Sequence, residues 1–268
     1  MRRTLTVVLA TLALLGLVAP GCSSSKTSGS ASGSTTTSSP SSPSGTITVS
    51  AASSLTGAFG TIKSDFVKAH PGSTVNIDSG SSAQLETQIE SGAPADVAAF
   101  ADTATMQQLA GKGLLSGPSQ IFATNELVIV TKPGNPKHIE TLADLANAGT
   151  VALCAATAPC GKYAARILDA AQVTIPTSSI TRGENARATL SAVANGDADA
   201  GIVYVTDGEA AGSTVGTVAI PAAQNAVARY PIAVVKATSN QALAQAFMSY
   251  VLGPQGQAVL KDAGFGAP

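Results

Sequence analysis

The stretch "ITVSAASSLTGAF" (residues 47–59) changes from the pattern of a strand to that of a helix within a few residues. Ile47 and Val49 alternate with polar neighbours, as in a half-buried strand. Apolar residues then recur at helical spacing: Leu55, Ala58, Phe59, Ile62 and Phe66. A strand that enters a helix through small residues presents unpaired N–H groups at the helix start, where the dipole favours negative charge. The stretch therefore predicts an α/β fold and, at its serines, either a helix cap or an anion site.

The rest of the chain alternates short apolar runs with helical periodicity, a pattern typical of a parallel α/β sheet. We expect strands at residues 74–77, 95–101, 126–131, 150–154, 200–205 and 230–235. We expect helices at residues 83–90, 103–113, 141–149, 161–171, 186–196, 240–253 and 254–265. The strands at 126–131 and 230–235 join two groups of strand–helix units, which predicts two lobes with crossings between them.

The N-terminal residues have the pattern of an export signal. Two arginines precede an apolar run over residues 5–18, and the sequence "APGC" then ends at Cys22. This pattern predicts a signal peptide over residues 1–21, and the run is too short to predict a membrane span. The cysteine resembles the lipidation site of a bacterial lipobox, although Ala19 replaces the usual leucine. We expect Cys22 to be lipidated; the alternative is an ordinary cleaved signal.

The composition divides the remainder into a tether and a folded part. Residues 22–45 are almost entirely Ser, Thr, Gly and Pro, so we expect a disordered tether. We expect the first lobe at residues 46–124, completed by 230–268, and the second at 125–229. The chain has 15 basic and 16 acidic residues and no Trp. This balance argues against a nucleic-acid partner, and the scarcity of aromatic residues disfavours sites that stack sugars or bases.

The serines and the cysteines raise two other kinds of chemistry, which are hydrolysis and disulfide formation. The sequence has no G-x-S-x-G motif. Its two histidines are His70, just before Pro71 where a helix stops, and His138, beside Lys137 in a loop, and neither is near a likely nucleophile. A secreted serine hydrolase is therefore the weaker alternative. Cys154 and Cys160 are separated by five residues in an exported protein, where we expect a disulfide. The alternative for Cys154 is a free buried thiol, and too few further ligands lie nearby for a metal site.

Six segments, in this order, resemble the molybdate-binding proteins of bacterial ABC importers. They are "ITVSAASSL", "SGSSAQLETQIESGAPADVAAFAD", "NELVIV", "APCGKYA", "NGDADAGIVYVTD" and "YPIAVV". The resemblance spans residues 46–268. It implies a two-lobed, periplasmic-binding-protein-like (type II) α/β fold whose cleft closes on a tetrahedral oxyanion. It also implies a monomeric receptor without enzymatic activity or cofactor. This receptor would take molybdate, and also tungstate, to a membrane permease from a lipid anchor on the extracytoplasmic face.

The resemblance also implies a set of ligand-binding residues. By position, Ser54 and Ser82 would donate through hydroxyl and backbone N–H, Cys160 and Ala186 through backbone N–H, and Tyr204 through its phenol. These five positions contain donors and no carboxylate. Molybdate is a dianion without a proton at neutral pH, whereas a phosphate receptor needs an acceptor for the remaining proton of its ligand.

Two alternatives stay open. In "SGSS" (residues 79–82), Ser81 is the alternative to Ser82, which directly precedes the predicted helix. A receptor for sulfate or another tetrahedral oxyanion is the alternative to a molybdate receptor. Arg182 and Arg187 flank one predicted site loop, and we interpret them as surface charges.

Overall fold

The structure is a computed structural model that describes residues 43–268. The predicted signal peptide, Cys22 and the predicted tether as far as residue 42 lie outside the described residues. Residues 43–268 form ten strands and eight α-helices. The strands are β1 (Gly45–Ala52), β2 (Ser73–Gly80), β3 (Val97–Ala99), β4 (Gln120–Asn125), β5 (Leu127–Thr131), β6 (Val151–Cys154), β7 (Ile180–Gly183), β8 (Ala200–Tyr204), β9 (Gly216–Ala219) and β10 (Ala228–Val234). The helices are α1 (Thr56–Ala69), α2 (Ser82–Glu90), α3 (Thr103–Gly111), α4 (Pro159–Ala170), α5 (Ala186–Ala194), α6 (Val205–Ala211), α7 (Gln241–Leu252) and α8 (Pro254–Asp262).

The strands form two five-stranded sheets with the same arrangement. Their orders are β2-β1-β3-β10-β4 and β7-β6-β8-β5-β9. In the first sheet β1 is parallel to β2 and β3, whereas β10 is antiparallel to β3 and β4. In the second sheet β6 is parallel to β7 and β8, whereas β5 is antiparallel to β8 and β9. We refer to the two sheets with their helices as lobe 1 and lobe 2.

The α/β fold is confirmed, but both sheets are mixed, whereas the alternation of strands and helices is typical of a parallel sheet. The antiparallel members, β5 and β10, are the strands that follow the two crossings between the lobes. A chain that enters a sheet from the other lobe need not run in the direction that a right-handed strand–helix–strand unit imposes. The sequence periodicity shows that a strand is buried but not its direction.

The predicted helix at residues 141–149 is instead a 3-10 helix over Ala143–Asn147. Leu142, Leu145 and Ala148 are buried at a spacing of three residues, which matches the three residues per turn of that helix. The chain then turns at Gly149, whose φ is 94°. Strands β4, β7 and β9 and helix α6 were not predicted from the sequence.

The helix that follows β1 packs as its apolar spacing predicts. A 3-10 turn over Ser53–Leu55 precedes α1, and α1 buries Ala58, Phe59, Ile62 and Phe66. The ring of Phe59 lies 5.8 Å from that of Phe122 on β4. Because α1 is fixed on the sheet in this way, the turn that contains Ser54 has a fixed position at the carboxyl end of β1.

The two crossings between the lobes lie side by side. Glu126 alone separates β4 from β5, and the second crossing runs from β9 to β10. The Asn225 side chain in the second crossing accepts from the Leu127 N–H at 3.1 Å and donates to the Leu127 carbonyl at 2.8 Å. This double hydrogen bond joins the two connections at the point where any rotation of one lobe against the other must occur.

None of the helices described is long and apolar enough to cross a membrane.

Candidate functional site

Strand–helix junctions from both lobes meet around one small cavity. All five residues that the family resemblance implied line this cavity: Ser54, Ser82, Cys160, Ala186 and Tyr204. Further lining residues are Ala52, Ser53, Gly80, Ser81, Ala101, Ala158, Pro159 and Asn185. Ser54 and Ser82 belong to lobe 1, whereas the other three implied residues belong to lobe 2. The cavity therefore exists only where the lobes meet.

Ser54 lies in the turn between β1 and α1. Its hydroxyl oxygen is 3.0 Å from the hydroxyl oxygen of Tyr230, which comes from β10 of the same sheet. Tyr230 is fully buried, whereas Ser54 is half-buried beside the cavity. The serine therefore has one fixed protein partner and one side facing the cavity.

Ser81 and Ser82 both line the cavity at the start of α2. Ser82 is the first residue of the helix, where the backbone N–H has no intrahelical acceptor. Its hydroxyl oxygen accepts from the Ala101 N–H at 3.0 Å, and the residue is buried. The Ser81 N–H donates to Oε1 of Gln84 at 3.3 Å, which caps the helix. The Ser81 N–H is therefore already satisfied, whereas that of Ser82 has no acceptor within the helix.

Cys160 is the second residue of α4, behind a proline at the first position. Its backbone N–H is among those that a helix start leaves without an intrahelical partner. Its sulfur is bonded to that of Cys154 at the end of β6, at an S–S distance of 2.04 Å. A Cβ at the next residue, Gly161, would overlap the carbonyl oxygen of Ala155. Glycine and disulfide together hold the start of α4 close to the end of β6.

Ala186 is the first residue of α5 and is buried. The side chain of the preceding Asn185 accepts from the Ala188 N–H at 3.0 Å, so Asn185 caps the helix. The cap uses the N–H of the third helical residue and leaves that of Ala186 available. A backbone N–H can donate whichever side chain the residue has, so an alanine at this position is compatible with a donor role.

Tyr204 is the last residue of β8 and is buried. Its backbone N–H donates to Oδ2 of Asp207 at 3.3 Å. Its hydroxyl has no hydrogen-bond partner among residues 43–268 although it is buried. A buried hydroxyl without a partner is rare in folded proteins and calls for an explanation, such as a ligand. The ring packs edge to face on that of Tyr230, with centroids 5.8 Å apart.

The cavity is electrically neutral in the described part of the chain. Burial raises the pKa of Tyr204 well above its ordinary value, and burial raises that of Tyr230 as well, so both phenols stay protonated donors. Burial likewise raises the pKa of Asp207 to about 7, whereas the hydrogen bond from the Tyr204 N–H and the charge of Arg187 lower it. Within residues 43–268 no Asp, Glu, Lys, Arg or His lines the cavity. Its walls therefore offer hydroxyls and peptide N–H groups and no fixed charge.

Neither histidine lines the cavity. His70 ends α1, and its ring lies 4.3 Å from that of Phe66. His138 is exposed in a loop. The described residues contain no group of three or more His, Cys, Asp or Glu side chains that could hold a metal ion. Arg182 donates to the Cys154 carbonyl at 2.8 Å, and Arg187 lies in a neighbouring groove.

Two features of the site were missed by sequence reasoning. The first is Tyr230, which lies within the apolar strand "YPIAVV" and gives no local signal of a polar contact with Ser54. The second is the ion pair between Lys162 of lobe 2 and Asp102 of lobe 1, at 3.2 Å. Both contacts join residues that are far apart in the sequence.

Comparisons with known proteins identify the family and the fold. The family model described as bacterial extracellular solute-binding protein matches residues 47–266. The molybdate-binding protein ModA of Mycobacterium tuberculosis is 39% identical over 264 residues, which cover 98% of this chain and 97% of that protein. The Escherichia coli ModA is 31% identical over 226 residues, which cover 81% of this chain and 87% of that protein. The solved Azotobacter vinelandii periplasmic molybdate-binding protein superposes with a TM-score of 0.73 at 26% identity, covering 83% of this chain and 99% of that chain.

Proposed function

Because the chain belongs to the family of bacterial extracellular solute-binding proteins, we propose that it captures molybdate outside the cytoplasm for import by an ABC transporter. Two relatives at 39% and 31% identity are named for molybdate binding. The order of the family's motifs along the sequence is consistent with the same ligand. The predicted division into lobes at residues 46–124, 125–229 and 230–268 suits capture by rotation of one lobe against the other.

One observation carries the proposal: donors from five strand–helix junctions line one neutral cavity between the lobes. Hydroxyls and helix N-terminal N–H groups stabilise an anion without a counter-ion, because their dipoles are already oriented by the fold. A cavity without a carboxylate lacks the strongest acceptor for a hydrogen bond from a protonated ligand oxygen. This chemistry favours a fully deprotonated tetrahedral dianion, such as molybdate, over hydrogen phosphate.

We propose Ser54, Ser82, Cys160, Ala186 and Tyr204 as the ligand-binding residues. Ser54 and Ser82 donate hydroxyl and backbone N–H groups, and Cys160 and Ala186 donate backbone N–H groups. Tyr204 donates the hydroxyl that has no partner within residues 43–268. Ser81 remains the alternative to Ser82, but its N–H is engaged by Gln84.

Tungstate has the same charge and tetrahedral shape as molybdate, so we propose that it binds as well. Sulfate is the closest competing ligand, since it is also an unprotonated tetrahedral dianion. It is smaller, and discrimination between these anions depends on how closely the donors approach one another. A receptor for sulfate or another oxyanion is therefore the second candidate function.

We propose that the protein has no catalytic role and needs no cofactor. The hydroxyl of Ser54 contacts a tyrosine, not a histidine, so the pairing that activates a serine nucleophile is missing from this junction in the described structure. His70 and His138 are both outside the cavity lining. A serine hydrolase is thus a poorer explanation of the same serines.

We also propose that Cys22 is lipidated and holds the folded part, as a monomer, at the extracytoplasmic face beside its permease. The support is the signal-like sequence that ends in "APGC" and the Ser-rich segment that follows it. Intact-mass measurement of the exported protein tests this directly. A mass without a lipid, at a cleavage site other than residue 22, would contradict it.

Calorimetric titration of the full exported chain with molybdate, tungstate, sulfate and phosphate tests the function. We expect one molybdate per chain, and a melting temperature that rises with ligand concentration. At a hundredfold excess over the dissociation constant the stabilisation is about 2.7 kcal/mol. Absence of a shift with all four anions, together with a shift for an amino acid or a sugar, would overturn the proposal.

A further inference from the structure

We infer that Tyr230 is a positioning residue that directs the Ser54 hydroxyl toward the ligand and so contributes to the choice of unprotonated anions. The inference rests on the proposed function, because it concerns the same cavity. Tyr230 does not line that cavity and acts through the serine that does.

The position of the Tyr230 hydroxyl favours donation to the oxygen of Ser54. Tyr230 is fully buried, and its hydroxyl lies 3.0 Å from that of Ser54. A phenol is a stronger acid than an alcohol, so in a phenol–alcohol pair the phenol is the better donor and the alcohol the better acceptor. When Tyr230 donates, the oxygen of Ser54 accepts and its own hydrogen remains for the cavity.

Ser82 shows the same arrangement, and here the direction of the hydrogen bond is fixed by the partner. Its oxygen accepts from the Ala101 backbone N–H at 3.0 Å, and an amide nitrogen can only donate. Both serines of lobe 1 thus have an oxygen held by a protein donor. The common arrangement points to a common task, which is to present the hydroxyl hydrogen to a bound anion.

A specificity follows from this direction of donation. A serine oxygen has two acceptor sites, and the tyrosine occupies one of them. If the tyrosine hydroxyl is removed, Ser54 rotates more freely and regains that acceptor site. It can then accept a hydrogen bond from the hydroxyl of hydrogen phosphate more readily than in the native arrangement, where the tyrosine occupies one acceptor site. Tyr230 therefore favours molybdate and sulfate over any anion that carries a proton.

The test is titration of the parent, Tyr230→Phe, Ser54→Ala and the double variant with molybdate, sulfate and phosphate. Phenylalanine keeps the ring that packs on Tyr204. We expect Tyr230→Phe to weaken molybdate and sulfate binding about tenfold, the effect of losing one hydrogen bond. Phosphate binding should weaken less or improve, so the ratio of molybdate to phosphate affinity should fall. The double variant should bind molybdate like Ser54→Ala alone, because Tyr230 acts through Ser54.

Tyr250→Phe is the matched control. Tyr250 is half-buried on α7, its ring is 5.5 Å from that of Phe66, and it is not part of the cavity lining. We expect it to bind all three anions like the parent. Equal losses for Tyr230→Phe and Tyr250→Phe, or losses that multiply in the double variant, would overturn the positioning role. A parent that binds sulfate but not molybdate would overturn the proposed ligand and still test Tyr230 on sulfate; a parent that binds none of the three would overturn both.

Discussion

The ammonium group of Lys162 lies 3.2 Å from Oδ2 of Asp102, and the two residues belong to different lobes. Each is next to the site in sequence: Asp102 follows Ala101, and Lys162 is two residues after Cys160. Asp102 also caps α3, since its Oδ1 accepts from the Thr105 N–H at 2.7 Å. The ion pair therefore forms only when the lobes meet, and it neutralises a carboxylate close to the cavity.

We expect Lys162→Met to weaken molybdate binding about two- to fivefold, the effect of a partly exposed ion pair. The loss should come mainly from faster dissociation, because the pair stabilises the arrangement in which the lobes are in contact. Stopped-flow measurement of association and dissociation rates checks this. The ligand-free melting temperature should not change.

Lys112→Met is the control for that substitution. Lys112 pairs with Glu86 at 3.3 Å, and it also contacts Glu90. All three residues belong to lobe 1, and the lysine side chains are similarly exposed, at 51% for Lys112 and 42% for Lys162. If both lysine variants release molybdate at the same rate, the contact between the lobes has no role in binding.

Substitutions of Ser54 separate a helix cap from a ligand residue. A cap predicts that Ser54→Ala costs about 1 kcal/mol of folding stability and that Ser54→Asp is nearly neutral. A donor to a dianion predicts a loss of roughly 1.5–3 kcal/mol in binding for alanine. It also predicts that aspartate abolishes measurable binding, because like charges meet in a small cavity. We expect the second result, measured by titration beside the thermal melt of each variant.

Ser82 should respond to the same substitutions in the same way, since its hydroxyl is held in the same manner. Ser81→Ala is the comparison for this helix start. An aspartate variant at Ser54 that binds molybdate like the parent would show that this serine does not contact the ligand.

Replacing Cys154 and Cys160 together by alanine removes the disulfide and keeps the backbone N–H of Cys160. In the chain-entropy model a loop this short contributes about 2 kcal/mol to the stability of the folded state. For a chain of this size we expect the melting temperature to fall by about 4–8 °C. Molybdate binding should weaken by less than for Ser54→Ala, because the donor itself remains. Two thiols that can be alkylated in the unreduced, unfolded parent would show that the disulfide is absent in solution.

The buried carboxyl of Asp207 predicts a pH dependence of stability. Its pKa is raised from 3.8 to about 7 in the folded state, mainly by burial. Between these values the folded protein retains a proton that the unfolded chain releases, so this carboxyl lowers stability as the pH rises from about 4 to about 7. Asp207→Asn should remove that decrease and raise the melting temperature at pH 8, while its side-chain oxygen can still accept from the Tyr204 N–H.

Thermal melts of the ligand-free protein between pH 4 and 8 measure this effect as the difference between parent and variant. Asp262→Asn serves as control, since Asp262 is exposed in the groove that Asp207 also lines. A difference between parent and Asp207→Asn that does not vary with pH would contradict the prediction.

Local chemistry predicted the strand–helix junctions of the site, and the family resemblance then implied the individual residues within them. Ser54, Ser82, Cys160 and Ala186 all lie where a strand ends and a helix begins, and small residues at such junctions are visible in the sequence. The order of the motifs then indicated the type of ligand. Each of these junctions is formed by residues that are neighbours along the chain.

The parts that were missed depend on contacts between distant segments. Tyr230 is 176 residues away from Ser54 in sequence, and the strand register shifts between Tyr230 and Pro231 where β10 pairs with β4. Nothing in "YPIAVV" itself indicates such a shift. The apolar run "AGIVYV" also concealed the start of α6 at Val205, because a buried strand end and a buried helix start have the same composition.

A cavity lined by neutral donors changes how the protein responds to its surroundings. Dissolved ions weaken attraction between charged groups over about 8 Å at physiological ionic strength, because they collect between those groups. No charged side chain within residues 43–268 lines the cavity, so the site has no fixed charge for such ions to screen. We therefore expect the dissociation constant for molybdate to depend less on salt concentration than it would in a site built from charged side chains. In a receptor that held the same dianion between lysine and arginine side chains, the affinity would fall as the salt concentration rises.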